Sequence, residues 1–148
     1  MIVAVMLAVL GSLWFGHAPP RSPSAYRRHA VQAVEYLRSQ TQTARLWVGA
    51  VARDDTTRQA ASVALQETEN DAVATVGRFA GWDPPAGADG VRDTVTGLGD
   101  QVVQALGALR IAAHRGQWAK LTDLAAPLPG LADRLDTVRG DLITGSPR

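Results

Sequence analysis

Glu67, Glu69 and Asp71 form the densest group of potential ligands in the chain, within the run "ETEND". Carboxylates at this density could hold a hard divalent cation, or a di-iron centre if facing helices also contributed Glu-x-x-His pairs. The pairs are missing: three residues before His29 stands Tyr26, and three before His114 stands Ile111. Charge pairing accounts for the run instead. Folding the chain back about Asp55 sets Arg45 near Glu67 and Arg38 near Asp71, so interhelical ion pairs are the expected use of these four side chains.

Other chemistries lack their parts. The serines stand in helical segments, at helix starts or in the tail, with no Gly-x-Ser-x-Gly turn and no His and carboxylate placed to serve them. His29 and His114 fall toward opposite ends of the architecture derived below. Gly97 and Gly99 have neither a strand before them nor a Lys-Ser/Thr after them, so they make no phosphate loop and are expected to allow close helix packing. The chain contains no Cys, which removes disulfides, thiolate zinc sites, iron–sulfur clusters and cysteine nucleophiles. No enzyme activity, metal or cofactor is expected.

One polar feature has a less ordinary reading. Gln40 falls on an apolar stripe, and the same folding-back sets Thr68 and Pro129 near its level. A buried amide needs partners, and prolines at 127 and 129 would free the carbonyls of Asp123 and Ala125 within a helix. Gln40 and Thr68 are therefore expected to form a mid-bundle polar layer, either fixing register or lining a small ligand pocket.

These residues must be positioned by helices, because heptad-like spacing recurs four times. Ser22-Pro23 is a helix start, and Tyr26, Ala30, Ala33, Leu37, Gln40, Ala44, Trp47 and Val51 follow at steps of four and three. After "RDDTT" the stripe is Ala61, Leu65, Thr68, Ala72, Val76 and Phe79. Beyond "DPPAGADG" it is Val91, Val95, Leu98, Val102, Ala105, Leu109 and Ala112, closed by Arg115-Gly116. The last is Leu121, Leu124, Leu128, Leu131, Leu135, Val138 and Leu142. Its phase runs through Pro127 and Pro129, which predicts one kinked helix. No stretch alternates as a strand would.

The predicted fold is therefore all-α: an up-down-up-down antiparallel four-helix bundle over residues 21–144, with 145–148 as a tail. This topology sets Trp47 and Trp118 together at one end, sealing the core. The loop carrying Trp82 falls at the other end, beside the start of the bundle.

Residues 1–20 are of a different kind. Ile2 to Phe15 is a nearly continuous apolar run of fourteen residues, short for a span, which needs roughly twenty. Gly16 to Ala18 bring it near the lower limit. Trp14 and Phe15 then fall where an interfacial aromatic belt would sit, and Pro19-Pro20 end the segment. A cleaved signal peptide is the rival, disfavoured by the lack of a basic residue before the run and by Pro19 after the small-x-small site. The expectation is a single-pass membrane (or signal) anchor, with Trp14 and Phe15 at the membrane interface; Trp82 is expected to cap its loop, with a place among the headgroups at the membrane interface as the alternative. Arg21, Arg27 and Arg28 after the run favour a cytoplasmic bundle by the positive-inside rule. A start that omits upstream basic residues reverses this, and the bundle is taken to be extracytoplasmic.

The segments "RSPSAYRRHAVQAVEYLRSQTQTARL" and "LAAPLPGLADRL", following a short apolar start, resemble uncharacterised actinobacterial membrane-anchored helical-bundle proteins. The resemblance implies no activity. In architecture alone the bundle also looks like extracytoplasmic sensor domains of bacterial receptors, though neither a second span nor a signalling domain is expected. With 15 basic and 14 acidic residues interspersed for a net charge of +1, the chain has no electrostatic footprint for nucleic acid. The expected function is a membrane-tethered, non-enzymatic module, an adaptor or accessory subunit of a membrane-associated complex, that docks a protein partner through a helix face or the end of the bundle far from the membrane, with a contiguous apolar surface patch. A bundle sensing a small ligand at the Gln40 level is the alternative.

Overall fold

The structure, a computed structural model, describes residues 22–145. The expected anchor at residues 1–20, with Trp14 and Phe15, lies outside the described residues. Among those described, no strand is present and no helix is long and apolar enough to cross a membrane. Four long helical segments pack on one core: α1 (Pro23–Ala52), α2 (Arg58–Ala80), α3 (Asp89–His114), and a fourth segment made of a short 3-10 turn (Trp118–Lys120), α4 (Leu121–Ala125) and α5 (Leu128–Thr144).

Local chemistry sets the boundaries. Ser22 Oγ accepts from the Ala25 N–H at 3.2 Å and Pro23 occupies the first turn, so α1 starts with a side-chain cap and a ring already at helical φ. Thr57 Oγ1 does the same for α2, accepting from Ala60 N–H at 3.2 Å. Gly116 and Gly145 follow α3 and α5 at φ 69° and 72°, a left-handed backbone that a side chain would strain.

Pairs of residues across the interfaces run in opposite senses. Tyr26 stacks near Phe79, and Gln40 reaches Asp71. Glu69 meets Arg110, Glu35 meets Arg139 and Arg38 meets Asp136. In each case a step forward on one helix matches a step back on its neighbour, so the helices are antiparallel. Helix α1 packs against α2 on one side, α4 and α5 on the other, and α3 across the centre. It therefore needs a broader buried face than a two-neighbour seam, and Thr41 and Val34 join the expected stripe inside. Leu37, Leu65, Leu106, Leu109, Leu128 and Leu135 are each at most 1% exposed, and burying one such side chain stabilises by about 2 kcal/mol.

The fourth segment departs from the single kinked helix expected. Its helical hydrogen bonding lapses at Ala126-Pro127, yet both residues keep right-handed helical angles (φ −54°, ψ −34° and φ −71°, ψ −21°). The path therefore bends without leaving the core, where Leu121 and Leu128 stay buried on either side. Pro127 and Pro129 fall at the start of α5, where helical N–H groups lack intrahelical acceptors in any case. Nor is the Asp123 carbonyl orphaned as expected, since it accepts from Ala126 N–H at 3.2 Å.

Candidate functional site

Several expected site residues stand elsewhere. Gln40 is not in the core. It is half-buried at the edge of the α1–α2 seam, where its Nε2 donates to Asp71 Oδ2 at 3.4 Å. Pro129 is not at its level either: the α1–α5 pairings place it about 1.4 turns further along. Thr68 is buried, but its hydroxyl donates to the Ala64 carbonyl of its own helix at 2.6 Å. Thr41 and Thr75 do likewise, to Leu37 and Asp71 at 2.8 Å each. The three buried threonines are thus satisfied within their own helices, a local pairing that asks nothing of a neighbour or ligand.

The expected ion pairs also re-sort. Arg38 Nε lies 2.7 Å from Asp136 Oδ1 on α5, not beside Asp71. The reason is azimuth: two residues turn a helix by about 200°, so when Gln40 faces α2, Arg38 faces α5. Arg45 and Glu67 are both exposed, and the acidic run instead sends Glu69 to Arg110 of α3. Among the described residues, no group of three or more His, Asp or Glu side chains is placed to hold a metal.

The residues that do converge lie in a groove between α1 and α2, near the Ser22 end of the bundle. Its open volume is about 450 Å³. Phe79 and Ala33 form a buried floor. One end is closed by Trp82, whose ring centroid is 3.8 Å from that of His29 at 41°. Trp82 is held there by the last turn of α2, through its N–H to the Phe79 carbonyl at 3.1 Å. Toward the other end stand Gln32 and Tyr36, the latter 57% exposed despite its size.

Two charged side chains line the groove, and they are not equivalent. Glu35 Oε1 accepts from Arg139 Nε at 2.6 Å, so its charge is already compensated. Arg78 has no acidic side chain within 4.0 Å among the described residues, and donates only to Thr75 Oγ1, at 3.5 Å. The groove therefore presents one cation without an acidic partner among the described residues, in a lining shared with the rings of Tyr36, Phe79 and Trp82. Sequence inspection missed it because Arg78 and Trp82 belong to a helix end and loop, and His29 and Tyr36 to the flank of a stripe. Only the i, i+3, i+7 spacing of His29, Gln32 and Tyr36 hinted at a shared face.

No family model, curated protein or solved structure matches this chain. The groove thus stands on its own geometry; a hollow of about 410 Å³ between α3 and α5, lined by Asp93, Gln101 and Arg134, has no aromatic ring, and two further hollows invite comparison. One, of about 360 Å³, lies between Arg27, the start of α3 and the end of α5, and is mostly valine, leucine and glycine. The other, of about 580 Å³, follows the bend at Pro127. Neither brings an uncompensated cation against aromatic rings. The large apolar side chains left exposed are Tyr36, Leu46, Val63, Val73, Ile111 and Ile143, shared among α1, α2, α3 and α5.

Beside the groove, Tyr26 is 2% exposed and its hydroxyl has no hydrogen-bond partner among the described residues. Burial pushes its ionisation above the ordinary phenol value of 10.0, opposed in part by Arg92. A phenol raised in the folded state favours folding while neutral, and this contribution is lost as pH rises through the folded value. Tyr26→Phe is expected to raise stability by about 1 kcal/mol at neutral pH, because an unpaired buried hydroxyl is removed. It should also flatten the loss of stability above the phenol range. Urea unfolding at neutral and alkaline pH checks both, and a drop of similar size at neutral pH would show that the hydroxyl is satisfied after all.

Proposed function

We propose that the chain is a membrane-tethered, non-enzymatic helical-bundle module, held by residues 1–20 and acting through the end of the bundle that carries the α1–α2 groove. The observation that carries this reading is a coincidence of position. The start of α1, the Trp82 loop and the end of α5 share one end of the bundle, as the His29–Trp82 stack and the approach of Arg27 to Gly145 attest. An apolar segment preceding Ser22 would thus hold that end, and the groove beside it, toward a bilayer. The partners suited to this placement are an extracytoplasmic complex at the membrane surface and the surface itself. Trp82, stacked on His29, closes the groove at that level. Membership among actinobacterial membrane-anchored bundles is part of the same proposal.

A ligand-binding reading is favoured by one specific observation, the uncompensated Arg78, and it moves from the Gln40 level to the groove. The tether is tested by expressing the full chain and a deletion of residues 2–15 in a bacterial host. The full chain should remain with membranes after an alkaline carbonate wash and the deletion should not. Equal release of both would dispose of the tether. Photo-crosslinking from Tyr36 in native membranes then reads the docking role, and the absence of any reproducible adduct counts against it.

A further inference from the structure

We propose that the α1–α2 groove is a binding site for a phosphodiester anion, supplied by the headgroup of an anionic membrane phospholipid. This rests on the tethered reading above for the source of the ligand, but not for its chemistry.

The chemistry follows from what the groove has left unpaired. Glu35 is engaged by Arg139 at 2.6 Å, whereas Arg78 has only a long bond to the Thr75 hydroxyl. That hydroxyl donates to the Asp71 carbonyl at 2.8 Å and accepts from Arg78 only at long range, and a neutral acceptor competes weakly with an anion for a guanidinium. One guanidinium balances one negative charge. A phosphodiester carries a single charge and two oxygens that match the planar fork of Arg, while a quaternary ammonium would meet an uncompensated cation. The Gln32 amide on the same wall can donate as well.

The rest of the groove suits the glycerol and first methylenes of a lipid. Trp82, packed on His29, and Tyr36, largely exposed, offer aromatic edges with polar tips, the side-chain type that settles at a bilayer's headgroup level. Phe79 and Ala33 beneath them are apolar. A groove of about 450 Å³ is large enough for a headgroup and open along one side for chains to leave. Reach is no obstacle. The seven Cα steps from Phe15 to Ser22 span at most about 25 Å, and His29 is about 10 Å further along α1.

The test uses the full chain in zwitterionic detergent micelles, following the Trp82 indole N–H by NMR. Three probes are titrated: short-chain phosphatidylglycerol, short-chain phosphatidylcholine, and glycerophosphoglycerol, which has the headgroup without acyl chains. Phosphatidylglycerol should shift the Trp82 signal saturably and more tightly than the other two. Arg78→Gln should weaken it about tenfold and Arg78→Lys less. Arg115→Gln removes the same charge from an exposed site at the opposite end of the bundle and should leave binding intact. Equal weakening by Arg78→Gln and Arg115→Gln, or equal binding of phosphatidylcholine, overturns the site. Arg78-dependent binding of glycerophosphoglycerol as tight as that of the lipid overturns the lipid source and assigns a soluble phosphodiester. Vesicle flotation separates the two proposals: a chain that fails to float but keeps Arg78-dependent binding loses the tether and retains the site.

Discussion

Leu37→Ala is expected to destabilise the bundle by about 3 kcal/mol and to lower the melting temperature by roughly 10 °C. Leu37 is 1% exposed and lies where α1 faces both α2 and α3: its Cδ1 is 3.3 Å from the position a Cβ would take on Gly99. Truncation removes transfer free energy and leaves a void that three helices would have to close together. Collapse there is hindered because α1 is also held to α5 by the Arg38–Asp136 and Glu35–Arg139 pairs. Those pairs are partly exposed and each contributes well under about 1 kcal/mol, but they fix the spacing. Leu46, on the same helix and 73% exposed, supplies the control; Leu46→Ala should change stability by less than about 0.5 kcal/mol. Urea unfolding of both variants, followed by circular dichroism, measures the difference. Comparable losses would mean that α1 does not bury the face assigned to it.

The second large effect separates two glycines that look equivalent. Gly97 and Gly99 both stand in α3, two residues apart. A Cβ on Gly97 meets nothing within 4 Å, whereas one on Gly99 would lie 2.6 Å from Val76 Cγ2. Gly97→Ala should therefore raise stability by about 1 kcal/mol through helix propensity alone. Gly99→Ala should lower it by about 1–3 kcal/mol, since a stiff β-branched neighbour on α2 must be displaced. Combining Gly99→Ala with Val76→Ala should recover part of the loss, because the contact that causes it is then gone. Additivity in that cycle, or a gain from Gly99→Ala alone, would refute the close α2–α3 approach.

The contrast between these glycines shows where sequence reading stops. Close packing was expected of both, because periodicity marks a stripe along a helix but does not say which point on it touches a neighbour. Arg38 and Gln40 show the same limit. Folding α1 back on α2 gives the height of each residue within about a turn, and on that basis Arg38 was matched to Asp71. Height says nothing about azimuth, and Gln40 reaches that aspartate in its place. Thr41, fully buried, lies off the single stripe that periodicity marks, because α1 has neighbours on three sides.

The groove was illegible for a related reason. Its members come from the flank of α1, the last turn of α2 and the loop beyond it, and none belongs to a motif with fixed spacing. Arg28, Arg45 and Arg115 also have no acid within 4.0 Å among the described residues; what distinguishes Arg78 is its place in a groove that Tyr36 and Trp82 also line, and Glu35 is set aside only because Arg139, 104 residues later, engages it.

By itself the amino-acid sequence determined the helical class, the four segments and most of their buried positions, and the cap at Ser22, but not the break of the last segment at Ala126-Pro127. These follow from interactions within a few residues, where hydrogen-bond spacing and side-chain period are set by local geometry. The tertiary structure alone decided which face of α1 meets three neighbours, which charges meet, which glycine is a contact point and which cation stands in a groove with aromatic rings. Those depend on the rotation of each helix about its axis, a quantity settled only when all four pack at once.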